Sequence, residues 1–160
     1  MAHRNEIDAV DGKILRQLAT DGRASYQAMA DEVGLSRPAV MERVKRLEES
    51  GYITGYAARI DRAKAGFPIT AFVAVRYANS DYSGDEPRMR ELAKHPGVLE
   101  CHHVAGEDCY ILKVATPDLE SLQQVLRDLR GPARTPLTTR TTIVLGTVFE
   151  KPGFVPGELD

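Results

Sequence analysis

The chain has 160 residues, 42% hydrophobic and 28% charged, with a net charge of −2, the make-up of an ordinary globular protein of one domain or two small ones. No apolar run approaches the roughly 18 residues that would span a membrane, and residues 1–11 hold no apolar signal segment, which predicts a cytoplasmic protein. The two cysteines, Cys101 and Cys109, lack the close spacing of a zinc or redox pair and read as reduced packing residues.

Residues 7–18 place Ile7, Val10, Ile14, Leu15 and Leu18 on one stripe, the spacing of an amphipathic helix. Asp21 and Gly22 close it with turn chemistry. Ser25 caps a second, short helix that ends near Val33, and Gly34 supplies a residue that tolerates positive φ. Ser36 caps a third helix, with Pro38 in the first turn, where its missing N–H does little harm. Val40, Val44 and Leu47 form the buried stripe of that helix and Gly51 its stop. Residues 24–50 thus read as helix, tight turn, longer helix: a helix-turn-helix. Residues 51–61 alternate apolar and polar around Gly55 and predict a small β-wing or a linking strand.

Domain one is expected over 1–60 and a linker over 61–68, punctuated by Gly66 and Pro68. From 69 the period changes. Residues 69–77 predict a strand, and 85–95 a helix with Pro87 near its start, stopped by Pro96 and Gly97. Two more strands are expected over 98–104 and 110–115. Asp118 caps a helix with Leu119, Leu122, Val125, Leu126 and Leu129 on one face; residues 131–136 break it, and 138–148 predict a last strand. The order βαββαβ over 69–150 is the ferredoxin-like arrangement. Residues 151–160, with Pro152, Gly153, Pro156 and Gly157, predict a loose tail or one draped on a partner. The fold class is α+β: a winged helix-turn-helix followed by a ferredoxin-like domain.

Overall charge does not point to nucleic acid. Residues 1–64 carry 11 basic and 10 acidic side chains, the remainder 10 and 13, so a DNA reading needs a local cluster. With Val40, Val44 and Leu47 turned inward, Pro38, Met41, Glu42 and Lys45 face outward, and Arg37, Arg43 and Arg46 lie on the flanks. The major groove admits one helix, read by side chains on its outer N-terminal half, which here are Arg37, Met41, Glu42 and Lys45. Ser36, at the helix N-terminus, can hold a phosphate; Lys45 and Arg46 suit phosphates better than bases. The same residues also admit a merely solvated helix face, with Arg43 as an internal salt-bridge partner.

The run of residues 21–56, DGRASYQAMADEVGLSRPAVMERVKRLEESGYITGY, resembles the DNA-binding domain of the Lrp/AsnC, or feast/famine, regulators. The likeness lies in DGR, MA, VGLS, RV-x-RLE and G-x-I-x-GY, and continues through Ala58, Asp61 and Gly66 to about Phe149. The resemblance implies that Ser25, Ser36, Arg37, Pro38, Met41, Glu42, Arg43, Lys45 and Arg46 form a surface for double-stranded DNA.

The segment 98–114, VLECHHVAGEDCYILKV, is the second specific signal. Gly106 lets the backbone turn between two strands, and Glu107 and Asp108 can accept hydrogen bonds from an ammonium group; an ordinary hairpin loop is the alternative. In Lrp/AsnC proteins the corresponding domain, called RAM, pairs through its sheets, commonly builds octamers, and holds an effector amino acid at a subunit interface near a G-x-x-D-Y loop. The resemblance carries this role to His103, Gly106, Glu107, Asp108 and Cys109, with Thr142 and Ile143 on the last strand. The family's usual Asp falls at Cys109 here, with Asp108 one place earlier. His102 and His103, adjacent on a strand, face opposite sides and predict no metal site; no cofactor is expected. No P-loop, GxSxG, HExxH or GxGxxG pattern appears, which argues against an enzyme. The expected function is a sequence-specific regulator of amino-acid or nitrogen metabolism genes, working as a homo-oligomer.

Overall fold

A computed structural model describes residues 7–77, 82–130 and 137–151. The chain divides into two compact units, residues 1–59 with 149–160, and residues 60–148.

The first unit is three helices: α1 (Ala9–Thr20), α2 (Tyr26–Val33) and α3 (Arg37–Glu49). Each begins on a side chain that accepts a backbone N–H of the first turn: Asp8 from Asp11, Ser25 from Ala28 and Ser36 from Ala39. These caps satisfy donors that the helix cannot satisfy itself. Asp11 returns the favour to the Asp8 N–H, completing a capping box that fixes the start of α1 at residue 9 rather than 7. Gly34 ends α2 in the left-handed region, at φ 71°, so that α3 sets off in a new direction. Ile14, Met29, Ala30, Val40, Val44 and Leu47 form the core, each at most 1% exposed, with Ile7, Val10, Leu15 and Leu18 packed around it. After α3 the chain does not form the expected β-wing or linking strand over 51–61. A wing needs a paired partner strand, and positive φ at Gly51 and Gly55 interrupts the extended run.

The second unit is a four-stranded antiparallel sheet with two helices. The strands are β1 (Ile69–Tyr77), β2 (Val98–His103), β3 (Tyr110–Thr116) and β4 (Leu137–Ile143), in the order β2-β3-β1-β4; the helices are α4 (Tyr82–Leu92) and α5 (Leu119–Arg130). This is the ferredoxin-like βαββαβ arrangement that the sequence predicts. Alternation sorts the sheet into two faces. Ala71, Val73, Val75, Tyr110, Leu112 and Val114 meet Met89 and Leu92 of α4 and Leu122, Val125 and Leu129 of α5 in one core. Leu119, expected on the same helix face, is instead 56% exposed in the first turn of α5. The last strand stops at Ile143, not 148, because β1 provides pairing only as far as Ala71↔Ile143 and a final Val144 N–H to the Thr70 carbonyl. Helix α4 lies about three residues earlier than expected: residues 93–97 turn instead, with His95 Nδ1 accepting the Gly97 N–H at 3.0 Å.

Candidate DNA-binding surface and sensor loop

On α3 the seam of Val40, Val44 and Leu47 faces the core, so the opposite side is open. Arg37, Pro38, Glu42 and Lys45 are exposed, and Met41 is 43% exposed despite its apolar side chain. Ser36 Oγ spends its acceptor on the Ala39 N–H, at 3.4 Å. Lys45 sits 3.7 Å from Glu49, both well exposed, a contact of little energetic weight. The outer N-terminal half of α3 therefore presents a cation, an apolar tip and a carboxylate side by side.

Two arginines of α3 behave differently. Arg43 turns back toward α1, its Nη1 donating to Asp8 Oδ2 at 2.7 Å and to Asp11 Oδ1 at 2.8 Å. The bonds to Asp8 and Asp11 raise the guanidinium pKa, and the Asp8 carboxyl is held below its ordinary range, chiefly by the Asp11 backbone N–H. Arg46 Nη2 donates to Asp11 Oδ2 at 2.7 Å, with the side chain still 46% exposed. So Arg43 is an internal strut in this chain and Arg46 is shared between strut and surface. Sequence reading allowed Arg43 an internal partner; the Asp8–Asp11 capping box was the signal that would have named it. A further tie was not foreseen: the Tyr56 hydroxyl donates to Glu48 at 2.9 Å, and the ring lies over Gly22, where a Cβ would meet Tyr56 at 3.5 Å.

In the second unit the loop between β2 and β3 is closed by backbone bonds, Val104 N–H to the Cys109 carbonyl and Cys109 N–H to the Val75 carbonyl. Gly106 at its tip has φ 144°, a value that favours glycine. Glu107 is exposed. Asp108 reaches across to β4, where Arg140 Nη2 donates to its carboxylate at 2.8 Å. Cys109 is 8% exposed and belongs to the core, so the thiol packs inside while the carboxylate one place earlier takes the outer side.

The remaining predicted sensor residues do not converge within one chain. Thr142 opposes Phe72 and Arg140 opposes Ala74, which puts both on the face away from the helices. His103 opposes Tyr110 and stacks on its ring at 5.0 Å, on the helix side, and Ile143 opposes the buried Ala71. The period of two along each strand separates them. His102 takes the outer face, 3.1 Å from Glu100; this contact, ahead of that with Lys113, holds the Glu100 carboxyl low.

Comparison with known proteins decides the family. Residues 7–48 match the AsnC-type helix-turn-helix domain and residues 70–154 the Lrp/AsnC ligand binding domain. The chain belongs to the Lrp/AsnC family. It is 36% identical to the HTH-type transcriptional regulator LrpA of Mycobacterium tuberculosis, over 94% of this chain and 97% of that one. It is 40% identical to the Bkd operon transcriptional regulator of Pseudomonas aeruginosa, over 76% of this chain and 79% of the relative. Among solved structures, the feast or famine regulatory protein from M. tuberculosis complexed with L-methionine is 36% identical, covers 94% of this chain and all of its own, and superposes with a TM-score of 0.84. A transcriptional regulator from Neisseria meningitidis, also complexed with L-methionine, superposes at 0.82 with 25% identity over 91% of this chain and 94% of its own. This Lrp/AsnC protein is thus a transcriptional regulator rather than an enzyme, with a DNA-binding helix-turn-helix unit and a ligand-binding unit. No described helix is long and apolar enough to cross a membrane.

Proposed function

We propose that this regulator reads double-stranded DNA with the outer side of α3 and is modulated by a free amino acid bound at a subunit interface of the second unit. The observation that carries the first part is the exposed set Arg37, Met41, Glu42 and Lys45 opposite the Val40–Val44–Leu47 seam. Arg37 and Glu42 supply a donor and an acceptor for base edges, Met41 an apolar tip for a thymine methyl, and Lys45 and Arg46 phosphate contacts. Two α3 helices held by a homodimer read an inverted repeat in successive major grooves, and assembly of dimers to an octamer bends the DNA between sites.

The second part is supported by the two relatives solved with L-methionine. It is also supported by the Asp108–Arg140 pair beside Gly106, an acceptor and a donor of the kinds that an amino acid's ammonium and carboxylate require. Phe72, 42% exposed on the same sheet face, supports pairing of sheets there. Binding at an interface shifts the balance between assemblies by its differential affinity for them. The genes controlled are those of amino-acid or nitrogen metabolism. Arg37→Ala and Lys45→Ala should each weaken binding to the regulator's own site in a gel-shift titration while size-exclusion chromatography shows the assembly unchanged; unaltered affinity sinks the assignment of α3. A thermal-shift screen of the amino acids, L-methionine first, tests the sensor: a ligand stabilises by mass action, and a flat screen refutes it.

A further inference from the structure

Among the described residues Asp11 is the one buried charged side chain, 1% exposed. Its two oxygens are both taken by arginines of the helix that faces DNA: Oδ1 by Arg43 at 2.8 Å and Oδ2 by Arg46 at 2.7 Å. We propose that Asp11 is a specificity-setting residue that withholds Arg43, and part of Arg46, from the DNA backbone. Recognition through α3 then depends on base edges more than on charge. The proposal rests on the reading of α3 as the DNA-facing helix.

The geometry makes Asp11 a fixed competitor of phosphate. It is locked at the start of α1 by the capping box, with the Asp11 N–H on Asp8 Oδ1 at 2.8 Å and the Asp8 N–H on Asp11 Oδ2 at 3.2 Å. It cannot follow an arginine that swings outward. Asp8 adds a second carboxylate on Arg43 at 2.7 Å, so two guanidiniums and two carboxylates form a neutral group. An arginine leaving that group for a phosphate takes from a buried carboxylate one of its two charged partners, which is unfavourable. Of the four basic residues of α3, Arg37, Arg43, Lys45 and Arg46, only Arg37 and Lys45 lie outside this group. Glu42 on the outer side further lowers the attraction to any duplex. A guanidinium has five donors, so Arg46, still 46% exposed, keeps others for a single well-placed phosphate. Sequence-independent affinity is set by the number of phosphates neutralised, and Asp11 keeps that number small.

A purely structural tie between α1 and α3 would alter stability but not the salt dependence of binding, which separates the two accounts. The test measures the affinity of the full chain for a random-sequence duplex and for its own site between 50 and 200 mM salt, for the wild type, Asp11→Asn and Asp8→Asn. With Asp11→Asn the random-duplex slope should steepen by about 0.9 for each phosphate contact released, so that the ratio of Kd values across that range widens by about 3.5-fold per contact. The preference for the specific site should fall. Asp8→Asn keeps a good cap and serves if Asp11→Asn does not fold; it should give a smaller steepening. Slopes parallel to the wild type overturn the proposal. Arg37→Ala, run beside them, tells the two ideas apart: binding that ignores Arg37 removes the DNA-facing reading of α3, whereas binding that responds to Arg37 but not to Asp11 or Asp8 removes only this one.

Discussion

Gly34 offers a clean measure of how much the turn between α2 and α3 depends on backbone conformation alone. Its φ is 71°, and a Cβ built there meets no atom within 4 Å. Gly34→Ala therefore adds conformational strain without a clash. Holding an L-residue in the left-handed region costs roughly 1–2 kcal/mol, while alanine stiffens the unfolded chain and returns roughly 0.4–1 kcal/mol. The net loss is about 1 kcal/mol, about fivefold in the folding equilibrium of the first unit. Hydrogen exchange of α2 and α3 amides in the full chain, with urea unfolding followed by circular dichroism, reads that loss in the correct unit. Gly34→Asn should lose less, since asparagine is enriched in this region of φ. If Gly34→Ala is neutral or stabilising, or Gly34→Asn is the worse of the two, the turn does not work as described.

Gly97 should respond to the same substitution for a different reason. Its φ is not in the left-handed region, but a Cβ would lie 2.8 Å from the Ala115 carbonyl oxygen, so Gly97→Ala should cost about 2 kcal/mol through overpacking, read as loss of the second unit's stability in urea; a smaller loss than at Gly34 contradicts the close approach of β2 to β3. Tyr56 should titrate late, because burial and then the bond to Glu48 push its phenol up to about 12. The folded state favours the neutral phenol, so this stabilisation is complete below the ordinary value of 10.0 and is lost as pH rises from there toward about 12. Spectrophotometric titration should lose amplitude near 12 in Tyr56→Phe, and loss of amplitude near 10 instead contradicts the contact.

The starts of α2, α3 and α5 were legible because their signals are local. Ser25, Ser36 and Asp118 each precede an apolar stripe and each accept a first-turn N–H. The helix-turn-helix core followed from the spacing of Val40, Val44 and Leu47. Errors arose where a partner decides. Residues 144–148 look like the rest of β4, yet they pair with β1 only through the Val144 N–H on the Thr70 carbonyl; residues 51–61 have a strand-like pattern and form no strand. The outward set on α3 was readable from the helical wheel, whereas the contacts that hold Arg43 and Arg46 span 32 to 35 residues and leave no periodic trace. In the sensor unit the exchange of Asp and Cys at 108 and 109 was visible as a departure, but only packing shows its result: the thiol inside, the carboxylate across from Arg140.

Each unit owns a complete hydrophobic cluster, one built on Ile14, Val44 and Leu47, the other on Val73, Leu112 and Leu129. Damage is therefore contained. A cavity cut at Leu129 loosens the sheet and its helices but takes no side chain from the cluster that holds the α3 seam. Lineages can thus vary the ligand-binding half without renegotiating the fold of the helix-turn-helix half.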